Sequence, residues 1–261
     1  MGILQKMNYR EKSYKCGEYV YEYIYPVWQT GRRAGRRKKR KTTPAAQKRL
    51  NIRHAREKCA RMLDTNFTNA DLSVGLSYAE QPSGMEQVKR DWQNFVRKVK
   101  RRYKAAGIEL KYICVPEVSG RGRYHLHVVM SGGVDRDVIE KLWGHGWSNT
   151  KRLQPDEFGL SALAKYITKS AADDEEEQLS KKAYWASKNL VDPEPKISDS
   201  RIRSKRMAID LGEENQEAWK KLWPEYDSIL VERWHEDEYG YCYIFARLKK
   251  REVQNGKRKR K

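Results

Sequence analysis

The spacing of apolar residues predicts two kinds of element in the middle of the chain. Over residues 71–78 apolar side chains recur at every second position, as in a strand with one buried face. Over residues 84–103 they recur at every third or fourth position, as in a helix that covers a sheet, and Ser83 with Glu86 forms a capping-box pattern at its start. The apolar positions are Leu72, Val74, Leu76 and Tyr78 in the strand, and Val88, Trp92, Phe95, Val99 and Tyr103 in the helix.

Further segments extend this pattern to an α+β fold. Residues 108–115 and 124–128 have strand composition, and the turn-rich Ser119 to Arg123 between them predicts an antiparallel hairpin. The order of elements predicts a mostly antiparallel central sheet of about five strands with helices packed on it. The remaining predictions are helices at 44–63, 135–143, 158–170 and 218–223, and strands at 19–28, 146–153 and 239–248.

Changes in composition divide the chain into three predicted segments. Residues 1–64 form a basic extension with one strand and a cationic helix, and residues 65–172 form the core. Residues 173–261 begin with an acidic run, continue with a short helix and a final strand, and are expected to pack on the core.

The composition indicates a folded protein with a polyanionic partner. The formal net charge is +20, yet the chain contains eight Trp and sixteen Tyr, which a disordered basic tail lacks. Nucleic acid is the expected partner. No stretch approaches the roughly 18 apolar residues of a membrane span, so we expect no membrane association. The cysteines form no Cys-x-x-Cys pair and suit a reducing cytoplasm; they are Cys16, Cys59, Cys114 and Cys242.

Two histidines in one predicted strand carry the strongest chemical signal. Strand side chains alternate between faces, so His125 and His127 point to the same side. Glu117 ends the preceding strand and can reach that side across the hairpin. Two imidazoles and one carboxylate suit Mn²⁺ or Mg²⁺ with positions left for substrate oxygens. Ordinary hydrogen-bonded histidines and a solvated glutamate remain the alternative.

A tyrosine and a lysine lie one turn apart on the helix predicted over residues 158–170. Tyr166 and Lys169 are neighbours on one helix face. A free phenol, with a pKa near 10, is a weak nucleophile and needs a nearby cation or a metal-polarised target. Lys169 supplies the cation, although a Tyr-x-x-Lys pair is also common on helix surfaces.

These motifs occur in the order of a known family. A Leu-Ser-Tyr strand, Glu117, His-hydrophobic-His and Tyr-x-x-Lys together resemble the HUH endonucleases, specifically the single-tyrosine rolling-circle replication initiators of bacterial plasmids and phages. Residues 144–153, residues 182–190 and the basic segment before Asn66-Phe67 are also similar to such initiators, so the resemblance covers most of the chain. The chain departs from the family at Gly75, where a bulkier residue is favoured, which leaves the packing of that strand open.

The resemblance implies an RRM/ferredoxin-like core and a nicking and joining activity on single-stranded DNA. Glu117, His125 and His127 would bind the metal, Tyr166 would form a 5′-phosphotyrosine intermediate, and Lys169 would assist the tyrosine or contact phosphate. The substrate would be a replication origin, near a hairpin, in the cytoplasm of a bacterial host. The released 3′-hydroxyl would prime a host DNA polymerase. Because the chain contains no phosphate-loop motif, unwinding is expected from a host helicase.

The single tyrosine limits how successive strand transfers proceed. A second transfer needs a second protomer in a homo-oligomer, or a water or hydroxyl nucleophile. Basic side chains are expected to hold the DNA backbone. They are Arg32, Arg33, Arg36, Arg37, Lys38, Arg121, Arg123, Lys151 and Arg152.

Three other functions fit parts of the sequence. A single-strand DNA transposase of the HUH kind would share the metal and the tyrosine, and origin cleavage would distinguish an initiator from it. An iron oxygenase uses two histidines and a carboxylate, but leaves the positive charge unexplained. A non-catalytic nucleic-acid-binding protein explains the charge and the aromatic residues without any active site.

Overall fold

A computed structural model of the protein describes residues 7–28, 44–155, 159–160, 184–234 and 241–251. The chain divides into two compact units. The terminal unit consists of Met1–Arg40 and Pro193–Lys261, and the central unit is Lys41–Asp192. This grouping differs from the three predicted segments, because strands from both ends of the chain pair in one sheet and the cationic helix belongs to the central unit.

The central unit contains an antiparallel five-stranded sheet, with strand order β6-β3-β5-β4-β7. Helices α2 and α3 contribute to the core on one face of this sheet. The α+β class is therefore confirmed. The elements are α1 Pro44–Asn66, β3 Leu72–Ser77, α2 Met85–Ala105, β4 Tyr112–Val118, β5 Tyr124–Met130, α3 Arg136–Trp143, β6 Ser148–Arg152 and β7 Trp185–Ala186.

The predicted apolar stripes form this core. The alternating residues of β3 and the helically spaced residues of α2 are all buried in one cluster. Leu126 and Val128 of β5 belong to the same cluster, so they lie on the face opposite to that of His125 and His127. Burial of one face thus fixes the register that directs both histidines to the other face.

Two local predictions are corrected. Helix α2 has Gly84 as its N-cap without a side-chain cap, and Ser83 bonds to the Gln87 side chain (2.8 and 2.9 Å), so the Ser83/Glu86 capping box does not form. Strand β4 begins at Tyr112 rather than at residue 108. The Ile108 N–H bonds to the Tyr103 carbonyl (2.9 Å) and closes the end of α2, so residue 108 belongs to the helix exit.

The terminal unit contains a second antiparallel five-stranded sheet, with strand order β8-β1-β2-β10-β9. Two short helices pack on one face through buried residues such as Leu211 and Trp219. The predicted strand at 19–28 and helix at 218–223 are present, and the last strand starts four residues later than predicted. The elements are β1 Met7–Cys16, β2 Tyr19–Trp28, β8 Lys196–Ser198, α4 Lys205–Gly212, α5 Gln216–Leu222, β9 Tyr226–Trp234 and β10 Tyr243–Lys250.

A buried carboxylate pair lies in the terminal sheet. Glu11 of β1 is 1% exposed and forms an ion pair with Arg201, while Glu22 of β2 is 0% exposed. Burial, and then the charge of Glu11, raise the pKa of Glu22 well above its ordinary value, against the opposing effect of Arg201. The folded state therefore holds the Glu22 proton more tightly than the unfolded state does.

We expect the Glu22→Gln variant to gain stability relative to wild type as the pH rises from about 5 to about 8. A raised carboxyl pKa gives a stabilising contribution that is complete below the unfolded value of about 4.3 and is lost as pH rises through the folded value. The loss reaches at most about 1.4 kcal/mol per pH unit. Thermal unfolding midpoints across this range measure it. The exposed Glu18→Gln is the matched control, and parallel curves for wild type and Glu22→Gln would contradict the prediction.

Candidate active site

The β4–β5 hairpin determines which side chains face each other. Its turn is closed by bonds from the Ser119 N–H to the Arg123 carbonyl (2.8 Å) and from the Gly122 N–H to the Ser119 carbonyl (2.7 Å). In the resulting register Glu117 lies directly opposite His125. Opposed residues of an antiparallel pair share a face, and His127 is two positions along, so all three side chains lie on one face of the sheet.

Glu117 and His127 are in direct contact. The distance between Glu117 Oε2 and His127 Nε2 is 2.5 Å, and their side chains are 30% and 24% exposed. An ionised carboxylate only accepts hydrogen bonds, so the His127 Nε2–H donates the hydrogen bond to Glu117 Oε2. This charge-assisted hydrogen bond joins two of the predicted ligands on a partly exposed surface.

Strand β3 leaves space beside the histidines. Gly75 lies directly opposite His127, and Ser77 directly opposite His125. A Cβ atom added to Gly75 would meet no atom of the described residues within 4 Å, so none of them fills the position next to His127. The departure from the family at Gly75 thus falls beside the predicted site and leaves this face of the sheet uncrowded.

The donor set fits a divalent metal ion in its chemistry. In the described ranges, no group of three or more His, Cys, Asp or Glu side chains is gathered closely enough to hold a metal. However, Glu117 and His127 already converge, and His125 lies opposite Glu117 on the same face. One carboxylate oxygen with two imidazole nitrogens suits Mn²⁺, which would take the place of the proton shared by Glu117 and His127.

The described basic residues are not all at this site. Lys151 of β6 lies opposite Ser73 and is exposed on the face of the histidines. Arg152 follows it, opposite Leu72, and so alternates to the other face. Arg121 and Arg123 are exposed in the hairpin turn that joins the strands of Glu117 and His125.

Several predicted site residues lie outside the described residues. They are Tyr166, Lys169, Arg32, Arg33, Arg36, Arg37 and Lys38. Leu160 is described and is 3% exposed. Its N–H donates to the Asp64 carboxylate of α1 (2.9 Å), so the chain six residues before Tyr166 is bonded to the central unit.

Trp147 is an exposed aromatic residue that the sequence analysis did not single out. It precedes β6 and is 63% exposed, whereas Trp143 is fully buried. The sequence pattern does not distinguish the two indoles, which occupy a short helix end and the loop that follows it. Only the structure shows that one belongs to the core and the other to the surface.

Comparison with known proteins gives one match. The family described as Replication-associated protein ORF2/G2P, a family of rolling-circle replication initiators, matches residues 71–171. No curated protein and no solved structure matches the chain. The matched segment begins at β3 and includes Glu117, His125, His127, Tyr166 and Lys169. Over these residues the resemblance to a family of replication initiators is confirmed.

The described part of the chain offers no candidate for a membrane span. None of its helices combines sufficient length with sufficient apolar character to cross a bilayer.

Proposed function

We propose that this chain, whose residues 71–171 match a family of rolling-circle replication initiators, nicks and rejoins single-stranded DNA at a replication origin through a covalent tyrosine intermediate. The observation that carries the proposal is the convergence of Glu117 and His127 (2.5 Å), with His125 on the same face. These residues lie within the segment that matches the family, which also contains the single Tyr-x-x-Lys motif assigned to the nucleophile.

Glu117, His125 and His127 would hold Mn²⁺ or Mg²⁺. When bound, the ion supplies Lewis-acid polarisation of the scissile phosphate. The three side chains would position the ion, because the β4–β5 register fixes Glu117 opposite His125, and the β3–β5 register places His127 opposite Gly75. The mixed oxygen and nitrogen donors favour Mn²⁺ over Mg²⁺, which prefers oxygen ligands.

Tyr166 is the proposed nucleophile. Its phenolic oxygen attacks phosphorus, the bond between phosphorus and the 3′-oxygen breaks, and the leaving 3′-oxygen takes up a proton. The 5′-phosphate remains on Tyr166 as a phosphodiester. Lys169, three residues further along the chain, favours loss of the phenolic proton and contacts the phosphate. Attack on the phosphotyrosine by a 3′-hydroxyl reverses the same bonds and joins the strand.

Basic side chains near the site would bind the phosphates of the DNA backbone. Lys151 lies on the face of the metal ligands, and Arg121 and Arg123 lie in the adjoining hairpin turn. Each phosphate neutralised by such a side chain steepens the decrease of affinity with salt. A host helicase and a host polymerase would act on the opened strand and on the 3′-hydroxyl.

Mapping of the covalent bond tests the proposal. Wild-type protein is incubated with Mn²⁺ and labelled single-stranded oligonucleotides that include the origin of the element encoding it. The labelled protein is then isolated on a denaturing gel, digested and analysed by mass spectrometry. The chain contains sixteen tyrosines, and we expect the nucleotide phosphate on the peptide that contains Tyr166. Binding of the oligonucleotides without any covalent product would refute the nuclease and leave a nucleic-acid-binding protein.

A further inference from the structure

Trp147 is held at the surface by its backbone. The Ser77 N–H and hydroxyl both donate to the Trp147 carbonyl (2.9 and 3.2 Å). The preceding Gly146 has φ +151°, and a Cβ atom there would lie 2.4 Å from the Ala79 nitrogen. Only glycine allows this approach of the two backbones. Trp147, which is 63% exposed, therefore has a backbone that is fixed by these contacts.

Alternation along β6 directs Trp147 to the face of the predicted ligands. The Ser148 hydroxyl donates to the Glu140 carbonyl (3.1 Å) of α3, which packs on the opposite face. Trp147 and Asn149, on either side of Ser148, therefore point toward the histidine face. Lys151 follows on that face and is exposed.

Trp147 also aligns with the histidine pair across the sheet. Ser77, which bonds to Trp147, lies directly opposite His125, and His125 lies opposite Glu117. Neighbouring strands are about 4.8 Å apart, so the Cα atoms of Trp147 and His125 are about 10 Å apart. A nucleotide spans at least about 3.4 Å along its strand, so this separation corresponds to at most about three nucleotides.

We propose that Trp147 is a stacking platform for an unpaired base of single-stranded DNA, within a few nucleotides of the scissile phosphate. This inference rests on the proposed function for the identity of the strand that crosses the site. Isolated apolar residues are common on protein surfaces, so exposure alone decides nothing. Here the indole shares a face with a lysine and with the proposed ligands, in a chain of net charge +20. An indole can stack on a base while a neighbouring lysine binds the adjacent phosphate, which is the combination that single-stranded DNA requires.

Binding to two probes of equal length separates stacking from charge. One probe is a labelled oligothymidylate, and the other has abasic nucleotides throughout, so that only the bases differ. Affinities of the full-length protein are measured in EDTA, where no cleavage occurs. We expect Trp147→Ala to weaken binding of the oligothymidylate by about 5- to 100-fold and to leave binding of the abasic probe unchanged. Trp147→Phe retains an aromatic face and should keep most of the affinity.

Two further variants serve as controls. Tyr243→Ala removes another exposed aromatic residue, 41% exposed in the terminal unit, and should change neither affinity. Lys151→Ala removes a positive charge from the same face and should weaken binding of both probes by the same factor. If Trp147→Ala weakened binding of both probes equally, or of neither, the stacking role would be overturned. The proposed function would still stand in that case, provided that the wild-type protein forms the Tyr166 adduct. If instead the wild-type protein forms no adduct but Trp147→Ala shows the expected difference between the probes, the nuclease activity alone would be refuted.

Discussion

The Tyr166→Phe variant is expected to form no covalent protein–DNA adduct, and its rate of strand cleavage should decrease by at least about 1,000-fold. The substitution removes one oxygen atom, which is the atom proposed to bond to phosphorus. The aromatic ring and the metal ligands are retained, so affinity for the same oligonucleotide in EDTA should equal that of wild type. Labelled protein bands on denaturing gels, followed over time in Mn²⁺, give the rates.

A second tyrosine near the site provides the matched control. Tyr124 begins β5, immediately before His125, and packs against the core on the opposite face of the sheet. Tyr124→Phe therefore removes a phenolic oxygen from a neighbouring strand residue and leaves the proposed nucleophile unchanged. It should form the adduct at nearly the wild-type rate. Cleavage by Tyr166→Phe without a protein-linked product would identify water as the nucleophile, and an unchanged adduct would place the bond on another residue.

Residues whose role depends on short-range spacing were predictable. The period-two residues of β3 and the period-three-to-four residues of α2 are buried together, because each pattern matches the geometry of one element. The same alternation places His125 and His127 on one face, and the hairpin length brings Glu117 opposite His125. These inferences require only the local chain and one tight turn.

The first strand escaped prediction because polar residues occupy its buried face. Glu11 and Ser13 are 1% and 4% exposed in β1, where an apolar alternation would have marked a strand. Arg201, from a distant segment, pairs with Glu11. No local pattern shows such a partner, nor that β2 pairs with β10 from the other end of the chain. The grouping of both ends into one unit is therefore a consequence of long-range pairing.

The exposure of Trp147 was equally hidden from the sequence. The helix predicted over residues 135–143 does end at Trp143, where Gly144 adopts a left-handed conformation (φ 69°). The end of the helix does not by itself show whether Trp147 is buried, because its position is set by the bond of its carbonyl to the Ser77 N–H of β3 (2.9 Å). That bond joins segments seventy residues apart, which no local pattern reveals.

Glu117→Gln is expected to weaken Mn²⁺ binding by at least about 10-fold and to reduce the rate of adduct formation by at least about 100-fold. The change removes the negative charge and keeps the shape of the side chain. It also removes the anionic partner of His127 Nε2, 2.5 Å away. Electron paramagnetic resonance of free Mn²⁺ during a titration measures the affinity without DNA, and the gel assay measures the rate.

The response to metal concentration distinguishes a ligand from the nucleophile. Raising Mn²⁺ should restore part of the activity of Glu117→Gln, because occupancy recovers, and none of the activity of Tyr166→Phe. Glu86→Gln is the matched control, since Glu86 is an exposed acid in the first turn of α2, a helix that packs on the opposite face of the sheet. Unchanged Mn²⁺ affinity in Glu117→Gln would remove this carboxylate from the ligand set. Affinity for DNA in EDTA should not decrease in Glu117→Gln, because the lost charge is negative, so a loss there would indicate a damaged fold rather than a missing ligand.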